Sequence, residues 1–339
     1  MKNYRHVLHR MMSLSLAALV MATLLTGCGA PRKKKKKKGA DPDAPERYEF
    51  PETTTQGEID LGVDVTMAPV MKQLVDGFLR DHKEATIRST VSSEGDLMDK
   101  LLADSLRMIL IGRLPTPSEV ATIKKDKIRA TSTLIARDAV AVIMHPDNPM
   151  DSLTMEQLGK LLSGEAKTWR DIGGDNDQEV ALIFDDPRSG TIRLLQDKLM
   201  KPKQALPSNS YLAEGQDGVV DYVKAARNAI GFIGYCWVSD RDEPKVKEIL
   251  SEVKLARMAA ADTSDIPGYF VRPYQNEITL GRYPLSRPVY AVSREHFVGL
   301  GTGFVVYSAG ELGQRIILKA GLVPAFMPPR MVVLPEKED

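Results

Sequence analysis

Residues 180–199 constrain the fold of this chain more than any other stretch. Residues 180–184 are rich in branched and aromatic side chains and predict a buried strand. Residues 185–188, Asp-Asp-Pro-Arg, have turn chemistry, and after Thr191 the apolar residues recur at helical spacing. A Ser-Gly-Thr sequence therefore lies where a strand ends and a helix begins. Repeated along a chain, this alternation is typical of an α/β sheet whose strands are connected by helices.

The start of a helix is a favourable place for an anion, because its first backbone N–H groups are unpaired and the helix dipole is positive there. Gly190 has no side chain to obstruct a ligand, and the hydroxyls of Ser189 and Thr191 flank it. The pattern therefore predicts an anion site at these three residues. The alternative is that Ser189 or Thr191 is an ordinary helix N-cap that faces water.

Residues 1–28 are predicted to be a lipoprotein signal peptide. Three basic residues precede an apolar run over residues 11–25, which is too short to span a bilayer comfortably but fits a secretion signal. The run ends in Leu-Thr-Gly-Cys28, which resembles the lipobox of bacterial lipoproteins, whose cysteine is lipidated and becomes the mature N-terminus. The folded part is then expected outside the cytoplasm and anchored to a membrane. The alternative is a spanning anchor that keeps Cys28 as a plain thiol.

Residues 29–56 are predicted to be a basic, Pro-rich tether. They include a run of six lysines, residues 33–38, and a Pro-, Asp- and Glu-rich segment that cannot form a core. The lysines are suited to lie against anionic lipid headgroups beside an acyl anchor, and a plain solvated spacer is the alternative.

The charge of the chain is unevenly distributed. Ten of its 46 Lys and Arg residues lie in residues 1–40, which contain no acid, so 36 bases and all 45 acids remain for the rest. This net charge of −9 argues against nucleic-acid binding by the folded part. Local geometry, rather than the overall charge, would have to bind an anion.

Two further strand-to-helix turns have the same chemistry as residues 180–199. Residues 59–63 predict a strand before the turn that holds Thr66, and residues 86–91 predict one before Ser93. In an open α/β sheet the loops at the carboxyl ends of the strands form the ligand crevice. Three turns with hydroxyls are therefore stronger evidence for an anion site than one.

The rest of the chain continues the alternation. Buried strands are predicted at residues 108–111, 139–144 and 229–235, an extended segment at 283–290, and one amphipathic helix with a closing turn at 304–324. Cys236 lies in an apolar run and is expected to be a small core residue. Nearly 280 residues after the tether are enough for two α/β lobes.

These motifs, in this order, resemble the phosphate-binding lipoproteins of phosphate ABC transporters, within the type II periplasmic binding protein superfamily. The resemblance covers about residues 57–327. It rests on Thr66 before Met67-Ala-Pro, the turn at residues 92–95, residues 142–149, residues 153–172, Ser189-Gly190-Thr191, and residues 230–235, 283–288 and 313–324.

The resemblance implies a two-lobed α/β fold with a mixed, mostly parallel sheet in each lobe and a ligand cleft between the lobes. Lobe 1 would comprise residues 57–135 and 258–339, and lobe 2 residues 136–257, with crossings near 133–138 and 253–262. It also implies that a monomer captures phosphate, or a similar tetrahedral oxyanion, outside the cytoplasm for an ABC transporter permease.

The family's binding residues carry over in three groups. Thr66 and the amide of Met67 match its first anion-binding turn, Ser93 matches the second, and Ser189 to Thr191 match the third. We expect these groups to surround one oxyanion.

Two positions depart from the family pattern. Asp185 stands where phosphate binders often have an arginine, and Arg113 stands where they often have an aspartate. Because the charges look exchanged, we expect Arg113 and Asp185 to pair across the cleft beside the anion, and the alternative is that both are solvated loop charges. Arg188 and then Arg193 are the next candidates for the cationic group.

An enzyme is the competing class. The five histidines have no metal-ligand spacing, and no Gly-x-Ser-x-Gly sequence is present. The sequence therefore predicts no enzyme activity, no catalytic residue, no metal and no cofactor, with a phosphatase-type hydrolase as a remaining alternative. A scaffold or sensor lipoprotein that has kept the fold but lost its ligand is another alternative, because Asp185 replaces the expected arginine.

Overall fold

The structure, a computed structural model, describes residues 52–125, 130–202, 204–261 and 268–326. The predicted signal peptide with Cys28, and residues 29–51 of the predicted tether, lie outside these ranges. The strands are β1 Gly57–Asp64, β2 Ala85–Ser92, β3 Met108–Ile111, β4 Thr131–Met144, β5 Ser152–Leu153, β6 Ala181–Phe184, β7 Ser210–Leu212, β8 Ala229–Gly234, β9 Lys254–Leu255, β10 Arg257–Ala259, β11 Phe270–Val271, β12 Ser286–Ser293 and β13 Val323–Pro324.

Helices cover both faces of the sheet and connect most of its strands. They are α1 Ala68–Asp81, α2 Glu94–Leu102, α3 Pro117–Lys125, α4 Met155–Ser163, α5 Gly190–Leu199, α6 Gly215–Ala225, α7 Cys236–Ser239, α8 Pro244–Glu252, α9 Gln275–Thr279, α10 Leu300–Ala309 and α11 Glu311–Lys319. Short 3₁₀ turns lie at Val65–Met67 and Arg170–Ile172.

The main sheet has the strand order β2-β1-β3-β12-β4-β8-β6-β7, and β9 and β13 also pair with β4. The outer strands pair in parallel, β1 with β2 and β3 at one end and β6 with β7 and β8 at the other. The pairs around β12 and β4 are antiparallel. The predicted α/β fold with a mixed sheet is therefore confirmed.

Strand β4 belongs to both halves of the sheet. Its residues up to Ala139 pair with β12, and from Val140 onward they pair with β8. We call the half that contains β1, β2, β3 and β12 lobe 1, and the half that contains β6, β7 and β8 lobe 2. The exact division of the chain into lobes stays a prediction. Every residue of β4 from Asp138 onward is buried, so this shared strand lies in the core.

The core forms because the inner strands β3, β6 and β8 are buried along their whole length and the helices bury one apolar face. In α1, Met71, Leu74 and Phe78 recur at helical spacing and have no exposed surface. Burying a side chain of this size stabilises the fold by about 1.5–3 kcal/mol. Cys236 is buried as predicted, and its Sγ contacts the carbonyl oxygen of Thr66 at 3.1 Å.

One sequence prediction about the helices was wrong. The single helix expected over residues 304–324 is two helices, α10 and α11, which are separated at Gly310. Gly310 has extended backbone angles, φ −79° and ψ 175°, and forms the N-cap position of α11. The helical periodicity of the sequence continues across this break, so it did not reveal the change of direction. Among the described residues, we find no helix with the length and apolar character needed to cross a membrane.

Candidate anion-binding site

The predicted strand-to-helix turn in lobe 2 is present. Strand β6 ends at Phe184, and α5 begins at Gly190 with Ser189 as its N-cap. The Ser189 hydroxyl oxygen accepts a hydrogen bond from the backbone N–H of Ile192 at 3.3 Å. Ser189, Gly190 and Thr191 are all buried, and the Thr191 hydroxyl has no hydrogen-bond partner among the described residues. Ser189 is thus an N-cap, but one that does not face water.

Thr66 in lobe 1 is already held by its neighbours. It lies in the 3₁₀ turn before α1, and both its backbone N–H and its hydroxyl donate to Asp64 Oδ1 at 2.9 Å. Arg287 Nη2 donates to the Thr66 hydroxyl oxygen at 2.8 Å. Met67, whose amide was the other predicted group here, is the N-cap residue of α1 and is fully buried.

Ser93 is the N-cap residue of α2 and is 4% exposed. Its hydroxyl makes no capping bond and has no partner among the residues that the structure describes. Such an orphaned buried hydroxyl is uncommon in folded proteins and is suited to a ligand.

Sequence reasoning missed an ion pair at the junction of the lobes. Arg287 of β12 lies opposite Asp138 of β4 in the register, and both side chains have 0% exposure. Arg287 Nη2 and Nε donate to Asp138 Oδ2 at 2.7 and 3.1 Å. Nη1 of Arg287 makes no hydrogen bond within the described part of the chain. A buried guanidinium therefore has one N–H group to offer beside Thr66.

The turns of the two lobes meet at Gly190. A β-carbon placed on this residue would lie 2.7 Å from Asp64 Oδ2, 3.0 Å from Glu94 Oε2 and 3.2 Å from Arg287 Nη1. Only glycine fits such a close approach. The helix start of lobe 2 thus touches charged groups of lobe 1, and the cleft is closed.

Glu94, the first residue of α2, was also missed. It is 2% exposed, and its Oε2 accepts from the Gly112 N–H at 3.2 Å. Its Oε1 accepts from Arg113 Nε at 3.0 Å and from Arg193 Nε at 2.5 Å. The contact with Arg193 joins lobe 1 to lobe 2.

The predicted pair of Arg113 and Asp185 was wrong, since each finds a partner in its own lobe. Besides Glu94, Arg113 binds Glu119, with Nη1 and Nη2 donating to its two carboxylate oxygens at 2.6 and 2.8 Å. Asp185 accepts from Gln216 Nε2 at 2.7 Å. Burial raises the pKa of the Asp185 carboxyl, and its Oδ1 has no partner within the described ranges.

Arg188 lies at the rim of the cleft rather than inside it. About half of its side chain is exposed, and it pairs across the cleft with Asp96 at 2.8 Å and Asp99 at 2.6 Å. Its carbonyl oxygen also accepts from the backbone N–H of Gly95 at 3.1 Å. Arg188 therefore closes the lobes at their edge.

Burial also perturbs the carboxyl of Asp64. Complete burial raises the pKa of its carboxyl to about 7, with Arg287 opposing the shift and Glu94 adding to it. Oδ2 of Asp64 lacks a hydrogen-bond partner among the described residues. Asp64 can therefore change its ionisation near neutral pH, next to Gly190.

The site residues that sequence reasoning missed differ in how clearly the sequence marks them. Asp138 and Arg287 are charged residues inside otherwise apolar or extended segments, which is a usable sign of a buried pair. Asp64 and Glu94 give no such sign, because an acid before or in the first turn of a helix is ordinary.

In the described ranges, no cluster of His, Cys, Asp and Glu residues could hold a metal ion.

The chain matches the family profile described as a PBP superfamily domain over residues 49–311. It is similar to the phosphate-binding protein PstS of Staphylococcus saprophyticus, with 26% identity over 251 residues, 74% of this chain and 74% of that protein. PstS of Staphylococcus haemolyticus is 26% identical over 232 residues, 68% of each chain. These relatives are named as binding proteins rather than as enzymes.

Two solved structures have the same fold. One is a candidate phosphate ABC transporter substrate-binding protein with bound phosphate from Clostridium perfringens, with a TM-score of 0.67, 21% identity, and coverage of 79% of this chain and 100% of that one. The other is an ABC-type phosphate transport receptor from Vibrio cholerae, with a TM-score of 0.60, 20% identity, and coverage of 79% and 100%. The predicted resemblance and the two-lobed fold are confirmed.

Proposed function

Because the chain belongs to the PBP superfamily, we propose that it captures phosphate, or a similar tetrahedral oxyanion, and delivers it to an ABC transporter. The similarity to proteins named for phosphate binding supports the choice of ligand. The protein acts outside the cytoplasm as a monomer held to a membrane through Cys28, with the permease as its partner. It is a binding protein and not an enzyme.

One observation carries the proposal: three buried hydrogen-bond donors without partners come from the starts of α2 and α5 and from Arg287, which lies next to Gly190. They are the Ser93 hydroxyl, the Thr191 hydroxyl and Arg287 Nη1, as judged within the described ranges. Leaving a buried polar group unsatisfied costs about 1–3 kcal/mol, more when it is charged. A tetrahedral anion accepts several hydrogen bonds at once and would satisfy these donors. The positive end of the helix dipole at the start of α5 would stabilise the anion further.

The test is isothermal titration of the full-length protein, purified in detergent, with phosphate, sulfate and molybdate. We expect phosphate to bind more tightly than sulfate, because an ionised carboxylate such as that of Asp64 or Asp185 can accept a hydrogen bond from protonated phosphate but repels fully ionised sulfate. Absence of binding heat with all three anions would contradict the proposal.

A scaffold or sensor without a ligand is the second candidate, and the position of Glu94 favours it. This carboxylate already accepts hydrogen bonds at the closed cleft, from Gly112, Arg113 and Arg193. The same titration separates the two functions, since a scaffold would bind none of the anions.

A further inference from the structure

Glu94 has the surroundings of a bound anion. Its carboxylate accepts hydrogen bonds from one backbone N–H, that of Gly112, and from the guanidinium groups of Arg113 and Arg193. It also lies at the start of α5, where Oε2 would be 3.0 Å from a β-carbon on Gly190. A backbone amide, two arginines and a helix N-terminus are the groups that proteins use to bind a free oxyanion.

The groups around Glu94 come from both lobes. Gly112 and Arg113 follow β3 in lobe 1, whereas Gly190 and Arg193 belong to α5 in lobe 2. In a two-lobed binding protein, a ligand that contacts both lobes stabilises the closed form, because the contacts exist only when the lobes meet. Glu94 likewise contacts both lobes, so its carboxylate can join them in the way that a ligand would.

We propose that Glu94 is an internal competitor of the ligand: its carboxylate holds the cleft closed, and an incoming oxyanion must displace it. The inference rests on the proposed function and adds a regulation of the same site. A phosphate anion entering beside Gly190 would meet Asp64 Oδ2 as well, 2.7 Å from the same β-carbon position. Two carboxylates and phosphate would repel one another there, so Glu94 has to move out for phosphate to move in.

The two arginines keep a partner when Glu94 leaves. Arg113 retains Glu119, and Arg193 retains Asp197, to which its Nη1 donates at 2.8 Å. Both guanidinium groups therefore stay in place, and the N–H groups that Glu94 releases become available to the oxyanion. Displacement exchanges one anion for another at a site that is already assembled.

The experiment compares the wild-type protein, full length and in detergent, with Glu94→Ala, Glu94→Gln and the control Glu119→Gln. Glu119 also pairs with Arg113, but only within lobe 1. Phosphate affinity is measured by calorimetry, and hydrogen–deuterium exchange of residues 94–102 and 189–199 is measured without phosphate. We expect Glu94→Ala to bind phosphate about tenfold more tightly or better, because no internal charge-assisted bond has to be broken.

We also expect both Glu94 variants to exchange faster than wild type in the two segments before phosphate is added, because the lobes open. Glu94→Gln, which keeps the shape of the side chain, provides the result if Glu94→Ala does not fold. Glu119→Gln should match wild type in hydrogen–deuterium exchange, because the contact of Glu119 with Arg113 does not join the lobes.

Unchanged exchange in both Glu94 variants overturns the inference, and so does faster exchange with phosphate affinity equal to or weaker than that of wild type. Faster exchange with no phosphate binding by any protein supports the role of Glu94 in closure and rejects the proposed function. Phosphate binding by Glu94→Ala alone supports the inference and shows that Glu94 prevents phosphate binding in the wild type.

Discussion

Replacing Asp64 with asparagine should remove a pH-dependent cost from the folded state. Asp64 Oδ1 accepts two hydrogen bonds from Thr66, and the oxygen of an asparagine side chain can accept the same bonds. The other oxygen of Asp64 has no partner among the described residues, although Arg287 lies nearby. Asparagine therefore keeps the contacts that stabilise the turn and removes the group that would have to ionise in the core.

The magnitude follows from the pKa of Asp64, which is about 7 in the folded protein instead of its ordinary 3.8. Between these values the unfolded chain loses its proton while the folded protein keeps it. Stability therefore falls as the pH rises from about 4 to about 7 and is level above that. Between pH 5 and pH 8 this carboxyl should lower the free energy of unfolding by about 2–3 kcal/mol.

The assay is urea unfolding of wild type and Asp64→Asn at pH 5 and pH 8, with the difference between the proteins isolating Asp64 from the other titrating groups. Asp60→Asn on the same strand is the control. Asp60 is paired with Arg88, which lowers the pKa of its carboxyl, so it is ionised throughout this range and should not change the pH dependence. If wild type and Asp64→Asn lose the same free energy between the two pH values, Asp64 is ionised in the core and our reasoning fails.

Three further predictions concern the ligand, the core and the anchor. Ser189→Ala or Thr191→Val should weaken phosphate binding by about tenfold to a hundredfold, measured by calorimetry, and wild-type affinity in both would place the site elsewhere. Arg287→Ala should lower the free energy of unfolding by about 3–5 kcal/mol in urea titrations, because Asp138 keeps a buried charge without a partner, and a loss under 1 kcal/mol would contradict this. Cys28→Ser should release the protein from membranes or leave its signal uncleaved on fractionation, and unchanged processing and membrane association would count against the lipid anchor.

The elements of the fold were predictable because local patterns encode them. A short apolar run rich in branched residues, such as residues 108–111, favours a buried strand, and the structure has β3 at these residues. The turn at residues 185–189 was predictable for a similar reason, since Pro and Ser restrict where the helix can start. The pairing of distant segments was harder to predict. The local sequence pattern does not show that β4 passes from one lobe to the other as a continuous strand.

The partners of charged side chains were not predictable, because they depend on which segments the fold brings together. Arg113 and Asp185 were paired on the argument that exchanged charges should meet. Glu119, six residues after Arg113, binds the same guanidinium within lobe 1 and removes the need for a partner across the cleft. A bidentate local partner costs less chain ordering than a contact across a cleft, so it is favoured.

In the proposed anion site, other arginines can supply the positive charge that is absent from the expected position. Arg287 lies next to Gly190, and Arg193 binds Glu94. These two arginines, from segments far apart in the sequence, supply the positive charge that Asp185 does not. Arg287 is compensated by Asp138, and Arg193 by Glu94. An anion can therefore enter only if a resident carboxylate leaves or is protonated. In our proposal Glu94 moves out, whereas Asp64, whose Oδ1 is held by Thr66, stays in place and is neutralised. Ligand binding should therefore depend on the position of one acid and the protonation of the other.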